Sequence, residues 1–413
     1  MKSDFFQKTV LLNPEESKGQ LKVSKLCELI EYHPYRDNIY EAFDIDDIKN
    51  EIISIDYIDT VFNKVKYYND NYRRYSIYAQ VKDIDVFEEE RTVDEETFTD
   101  IMFRFEKYVD IDEEKVNLDT IAIYDAKNTF LDNYEMTKYA NHLFKMKEGK
   151  LARLNVQHFK EKAKTNSSIN KTNSYRLVEH NNQVYLRGIT SINKYYEYGV
   201  DFSFVIAMLV LHKNMKQNKG IEYVIKSAVL NESKLDMIIS EKHLKDAGAF
   251  GKVATAINVS TNDLGQGSLN FTNILSVGKE DGGFFLYRKK TEFENVEEVI
   301  RHTTKPENVL PIFENMDNVL NTSDDFIKEL NDLKSIKSPD ELRLKILTRI
   351  NSPRSSLKGI KKLSDIFNKK ISNEIASFSK LIVMCENAEK LDIDYDLKDK
   401  LRYLISDIML YGG

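Results

Sequence analysis

The chain has 413 residues, 41% of them hydrophobic and 31% charged, which is apolar material for two or three cores of ordinary size. A formal net charge of −7 excludes a uniformly basic nucleic-acid coat, and no apolar run reaches the roughly 18–20 residues of a membrane helix. The two cysteines, Cys27 and Cys385, cannot make a disulfide framework and read as buried reduced thiols.

Thr9 to Leu12 predicts a short strand, and Glu16 to Tyr32 a helix that stops ahead of His33-Pro34. The N-terminus, Met1 to Lys8, lacks an apolar signal core, so a cytoplasmic protein is expected. Asp46 to Val65 carries Ile48, Ile52, Ile55 and Ile58 at helical spacing. Tyr67, Tyr68, Tyr72, Tyr75 and Tyr78 then surround Arg73-Arg74, a composition that suits base stacking or a half-buried face.

From Val81 to Thr120 there are 15 acidic and 5 basic residues. The carboxylates from Asp83 to Glu96 do not follow the order of a calcium loop, so they read as a solvated connector. Glu95 to Val109 predicts a helix with Phe98, Ile101, Met102, Phe105 and Val109 on one face. Leu118 to Tyr124 follows as a strand and Tyr134 to Met146 as a helix. The balance then reverses, with 9 basic and 2 acidic residues from Phe144 to Arg176, and 151–174 is expected to be a basic polar linker.

Ten of the 15 glycines fall between Gly188 and Gly283, and no proline occurs between Pro34 and Pro306. That pattern predicts a sheet with functional turns. Ser174–Leu177 and Gln183–Gly188 form an expected hairpin around His180-Asn181-Asn182. Asp201 is a candidate N-cap for the apolar helix Phe202 to Leu211. Ile221–Leu230 and Lys234–Ser240 pair through Asn231-Glu232-Ser233, Lys252–Ser260 and Ser268–Val277 bracket a glycine-bearing turn, and Phe284–Lys290 adds a strand. Helices are expected over Val296–His302, Pro306–Leu320, Asp324–Leu333, Pro339–Ile350, Leu357–Ile371, Ser372–Ala388 and Leu397–Leu410. From Lys334 to Lys380 this part has 12 basic and 4 acidic residues.

The expected fold class is therefore α+β: a central, mostly antiparallel sheet with an inserted buried helix, a mixed N-terminal region and an all-helical C-terminal region. The expected units are 1–150, the linker 151–174, the sheet domain 175–303 and the helical domain 304–413.

The turn Asn262-Asp263-Leu264-Gly265-Gln266-Gly267-Ser268 lacks the third glycine and following helix of a dinucleotide fingerprint, and the Lys-Ser/Thr of a P-loop. The seven histidines show no zinc-helix spacing, and no Gly-x-Ser-x-Gly elbow occurs. No catalytic residue, metal site or cofactor is assigned.

Tyr175-Arg176-Leu177-Val178, Tyr185 to Ser191, Val259 to Leu269 and Arg301-His302-Thr303 together resemble phage and plasmid proteins of the domain of unknown function 932 class. The resemblance covers roughly 175–303. Ile274-Leu275-Ser276-Val277 stands where that class often has a cysteine–asparagine–glycine step. It implies an association with mobile genetic elements, and no reaction; a phage, plasmid or anti-phage defence locus is the expected setting.

Charge segregation beside a glycine-bearing sheet leads to the expectation of a non-enzymatic protein that binds DNA or RNA. The candidate contacts are Arg176, Arg187, Lys194, Asn262, Asp263, Gln266, Ser268, Arg288, Lys361 and Lys362. Two other readings stay open: an assembly component whose acidic part meets a basic surface on itself or on another phage or defence protein, and a metal-dependent nuclease. No membrane partner is expected.

Overall fold

The computed structural model describes residues 2–13, 19–93, 96–162, 169–192, 194–264, 268–278, 283–288, 297–309, 328, 338–368, 375 and 377–412. The N-terminal part supplies β1 (Lys8–Thr9), β2 (Gln20–Lys22), α1 (Val23–Cys27), α2 (Arg36–Ala42), α3 (Ile45–Ile48), β3 (Ile52–Asp56) and α4 (Ile58–Asn71). Ile52 and Ile55 do not continue a helix. Ile53 and Ile55 alternate inward on a strand, and the helix begins only after Tyr57.

The next unit is a barrel. Its strands are β4 (Arg73–Gln80), β5 (Ile84–Val93), β6 (Glu96–Asp110) and β7 (Glu113–Ala122). Helices α5 (Ala126–Asp132), α6 (Thr137–Lys145) and α7 (Gly149–Lys162) precede the hairpin β8 (Thr172–His180) and β9 (Gln183–Thr190). The strand order is β4-β8-β9-β7-β6-β5, with β7 and β9 parallel. A further pairing at Tyr78 and Val109 joins β4 to β6 and closes the ring. β4 and β5 act as two arms of one bent strand, broken at the 3-10 turn Val81–Asp83. Phe103, Phe105, Phe130, Tyr175 and Leu186 fill the interior.

The helix expected over 95–109 is therefore strand β6. Its apolar spacing misleads because the strand is buried on both sides only around Met102 and Phe103, while Arg104 and Glu106 are exposed. Phe103 and Phe105 face the barrel core, while Met102 joins the main core on the other side. The expected acidic connector is strand β5, paired along its whole length with β6. The expected linker contains α7. The hairpin 172–190 belongs with 73–122, so the expected boundary at 175 runs through the barrel.

After the barrel come α8 (Gly199–Gln217), β10 (Tyr223–Leu230), β11 (Lys234–Glu241), β12 (Lys245–Asp246), β13 (Lys252–Asn262), β14 (Ser268–Val277), β15 (Phe284–Tyr287) and β16 (Glu297–Arg301). These join the N-terminal strands in one sheet of order β15-β14-β13-β11-β10-β3-β2, with β1 on β10, β12 on β13 and β16 on β14. Neighbours run antiparallel except β10 and β3. The helix expected at 296–302 is the edge strand β16. Helix α8 is apolar all round and lies inside the main core, where each fully buried Phe or Leu contributes about 1.5–3 kcal/mol.

At the C-terminus, α9 (Pro339–Ile350), α10 (Lys361–Phe367), α11 (Phe378–Glu389) and α12 (Tyr395–Tyr411) pack on Phe250, Val253, Leu275 and Leu286. Ser338 caps α9 by accepting from the Glu341 amide, with Pro339 at the first helical position. Of the helix expected at 324–333 only residue 328 is described, and most of that expected at 306–320 lies outside the described residues. Among the described residues, no helix is long and apolar enough to cross a membrane.

Candidate functional site

Barrel and main sheet meet over a cluster of buried arginines. Arg176 on β8 and Arg187 on β9 are each about 1% exposed. Both point at Glu197, in the segment between β9 and α8. Arg176 donates to Glu197 Oε2 through Nε (3.1 Å) and Nη2 (2.8 Å), and Arg187 Nη2 donates to Oε1. Burial alone would raise the Glu197 carboxyl, but Arg176, Arg187 and Arg74 together hold it well below the usual carboxylate range. Arg74 on β4 donates to Asp201 Oδ2 (2.8 Å) and Asn69 Oδ1 (3.1 Å), so Asp201 serves as an ion-pair partner in the first turn of α8 and makes no cap hydrogen bond.

The network continues into the main sheet. Arg187 Nη1 donates to Ser233 Oγ (3.0 Å), which donates to Glu232 Oε1 (2.9 Å), and Tyr124 donates to the same oxygen (2.7 Å). On the other side, His302 Nδ1 lies 2.8 Å from the Tyr196 carbonyl and Nε2 lies 3.1 Å from the Asn262 carbonyl. The Asp263 carboxylate is 3.6 Å from Nε2 and fully buried. Burial and then Glu197 push its carboxyl up, against His302 and Arg176. Tyr195 stacks on His302 at 4.4 Å, and the Arg176 guanidinium lies 4.3 Å from the Tyr195 ring centre. Arg176 Nη1, Arg187 Nε, the Tyr195 hydroxyl and both Asp263 oxygens are buried without a hydrogen-bond partner among the described residues. Such groups are costly unless something satisfies them.

The expected contact residues that are described separate into three groups. Arg176, Arg187, Asp263 and Arg288 are buried. Asn262 Oδ1 accepts from the Leu264 amide and Ser268 Oγ donates to Asn270 Oδ1, so both serve the hairpin itself. Gln266 lies outside the described residues. Lys194, Lys361 and Lys362 are exposed. Of the tyrosine-rich run, Tyr68 and Tyr72 are buried and Tyr67 and Tyr78 are exposed. Sequence reasoning missed Glu197, Arg74 and His302 as partners. Arg74 stood in the tyrosine-rich run and His302 in the Arg301-His302-Thr303 motif, but neither pattern showed which partners they would meet.

Part of the charge segregation is consumed inside the molecule. Asp85 on β5 binds Arg153 on α7 (2.6 Å), and Glu88 accepts from the Gly149 amide at the start of α7. The outer face of β6 and β7 carries Asp100 with Arg91 and Asp119 with Arg104. The barrel's strand order, with its helices ahead of the fourth long strand, has the connectivity of oligonucleotide/oligosaccharide-binding barrels. Asp100 and Asp119 on the outer face of β6 and β7 are thus each matched by an arginine. In contrast, Arg354, Lys358, Lys361 and Lys362 are all exposed on the turn before α10 and its first residues, and form no ion pair with another described residue.

A cleft of about 670 Å³ separates β10 and Tyr124 from the α11–α12 junction. Arg402 on its wall donates to Glu389 (Nε, 3.1 Å) and to the Tyr395 hydroxyl (Nη1, 2.8 Å). Among the described residues, no three His, Cys, Asp or Glu side chains are placed to share a metal ion.

No family model matches the chain, and comparison with curated proteins and with solved structures finds no similar one. The resemblance over 175–303 thus rests on its motifs alone.

Proposed function

We propose that the protein is a non-enzymatic, nucleic-acid-associated protein that grips the phosphate backbone through its helical C-terminal part. The observation that carries this reading is the patch Arg354, Lys358, Lys361 and Lys362: four exposed cations within nine residues, none of them ion-paired with a described residue. Lysines in such a patch displace counterions from a polyanion and bind without regard to sequence. Lys145, Lys147 and Lys150, exposed around the α6–α7 turn, supply a second set. An association with a phage, plasmid or defence locus belongs to the same reading, on the resemblance over 175–303.

Gel-shift titrations across salt, with single- and double-stranded DNA and RNA, test it. Reversing all four charges (R354E/K358E/K361E/K362E) is expected to flatten the log K against log salt slope for duplex DNA by up to about 3–4, at about 0.9 per phosphate contact. An unchanged slope, or no binding by the parent protein at low salt, removes the reading. A second reading, assembly with a basic protein surface, draws on the carboxylate-rich outer face of β6 and β7. A salt-sensitive oligomer in light scattering, without nucleic-acid binding, would favour it.

A further inference from the structure

We propose that Arg176 and Arg187 form a binding site for a phosphoryl group, and that Glu197 occupies it as an internal substitute. Arginine forks recognise carboxylate and phosphate oxygens with the same geometry. Here one carboxylate is shared by two guanidinium groups, one oxygen to each. It leaves donors over: Arg176 Nη1, Arg187 Nε and the Tyr195 hydroxyl have no acceptor among the described residues, although Arg176 and Arg187 are about 1% exposed. A phosphoryl group brings three acceptor oxygens where the carboxylate brings two.

The two sides of the pair differ in how firmly they are held. The arginines stand on adjacent strands of a closed barrel, whereas Glu197 belongs to the connection between β9 and α8 and its side chain is 27% exposed. Across the β8–β9 ladder from Arg176 stands Gly188, where a Cβ would lie 3.9 Å from Arg176 Nη1. Asp263 faces the same arginines. Burial and Glu197 raise its carboxyl, against the opposing pull of His302 and Arg176.

The inference deepens the polyanion reading but uses different residues, so the two can fail separately. Calorimetric titration of the full-length protein with pyrophosphate, a 5′-phosphorylated oligodeoxynucleotide and the same oligonucleotide unphosphorylated tests it. Glu197→Gln is expected to bind pyrophosphate about tenfold or more tightly than the parent protein. Adding Arg187→Gln should abolish the gain. Should Glu197→Gln fail to fold, Glu197→Asp keeps the charge, withdraws the carboxylate by one methylene and is expected to show a smaller gain in the same direction. A gain confined to pyrophosphate and the phosphorylated oligonucleotide supports recognition of a terminal phosphate, and an equal gain for the unphosphorylated strand supports the backbone diester. The C-terminal charge-reversal variant should retain its pyrophosphate binding. If no folded Glu197 variant binds pyrophosphate more tightly than the parent, the proposal is overturned.

Discussion

Single charges in this chain take their meaning from what is buried beside them. Glu197 and Asp399 show the two directions. Glu197 is held ionised by two arginines, so the stabilisation it contributes is present above the ordinary glutamate range and is lost as pH falls below it. Asp399 on α12 is pushed up to about 7, first by burial and then by Asp236, against the opposing pull of Arg402. The folded protein therefore keeps a proton that the unfolded chain releases, and stability falls as pH rises from about 4 toward 7. Asp399→Asn should melt at a higher temperature than the parent protein at pH 8, with the gap closing by pH 4. Thermal melts at the two pH values check this, and equal melting temperatures at pH 8 would contradict it. The sequence displayed all these carboxylates in a chain that is 31% charged. It did not show which of them would lose water.

At the scale of elements, local grammar was legible where a turn or a helix needed particular residues. Asn181 and Asn182 both adopt positive φ (52° and 60°), the two-residue hairpin turn that asparagines favour. The buried helix α8 was announced by its continuous apolar run. Its start depends on Gly199, at φ +77°, where a Cβ would lie 2.2 Å from Asp201 Oδ1 and 3.0 Å from Arg74 Nη1. Gly199→Ala should therefore destabilise by about 1–3 kcal/mol and loosen the Arg74–Asp201 pair. Urea unfolding measures the cost, and a change below experimental error would show that the turn relaxes freely. Periodicity failed at β6, because Met102 and Phe103 are buried on opposite sides of the strand, which breaks the alternation and leaves apolar residues at helix-like spacing. It failed at β5 for another reason: its carboxylates find partners in α7 and at the start of that helix.

For the whole molecule, the main fact is an insertion. The large sheet takes strands from both sides of the barrel, so residues 8–56 and 223–301 pair with each other across the inserted 73–190. The barrel is not independent of that sheet, since Met102, Ile121, Ile123, Val178 and Tyr185 on its outside belong to the main core. A fragment of residues 73–190 is expected to self-associate or bind a hydrophobic dye, because it would present those side chains to water. A monomeric fragment that binds no dye would mean that the contact with the main sheet is dispensable.

The sequence by itself determined the α+β class, the central hairpins, the buried helix α8 and the C-terminal helices from 339 onward. Each is set by turn chemistry, capping or an apolar run within a few residues. Only the tertiary structure decided that the hairpin at 172–190 closes a barrel begun a hundred residues earlier. The same long-range pairing turns Arg176 and Arg187 inward onto Glu197, while Lys361 and Lys362 stay in solvent. Strand pairing and ion pairing across such separations depend on which surfaces are buried together, and no local pattern of residue types encodes that.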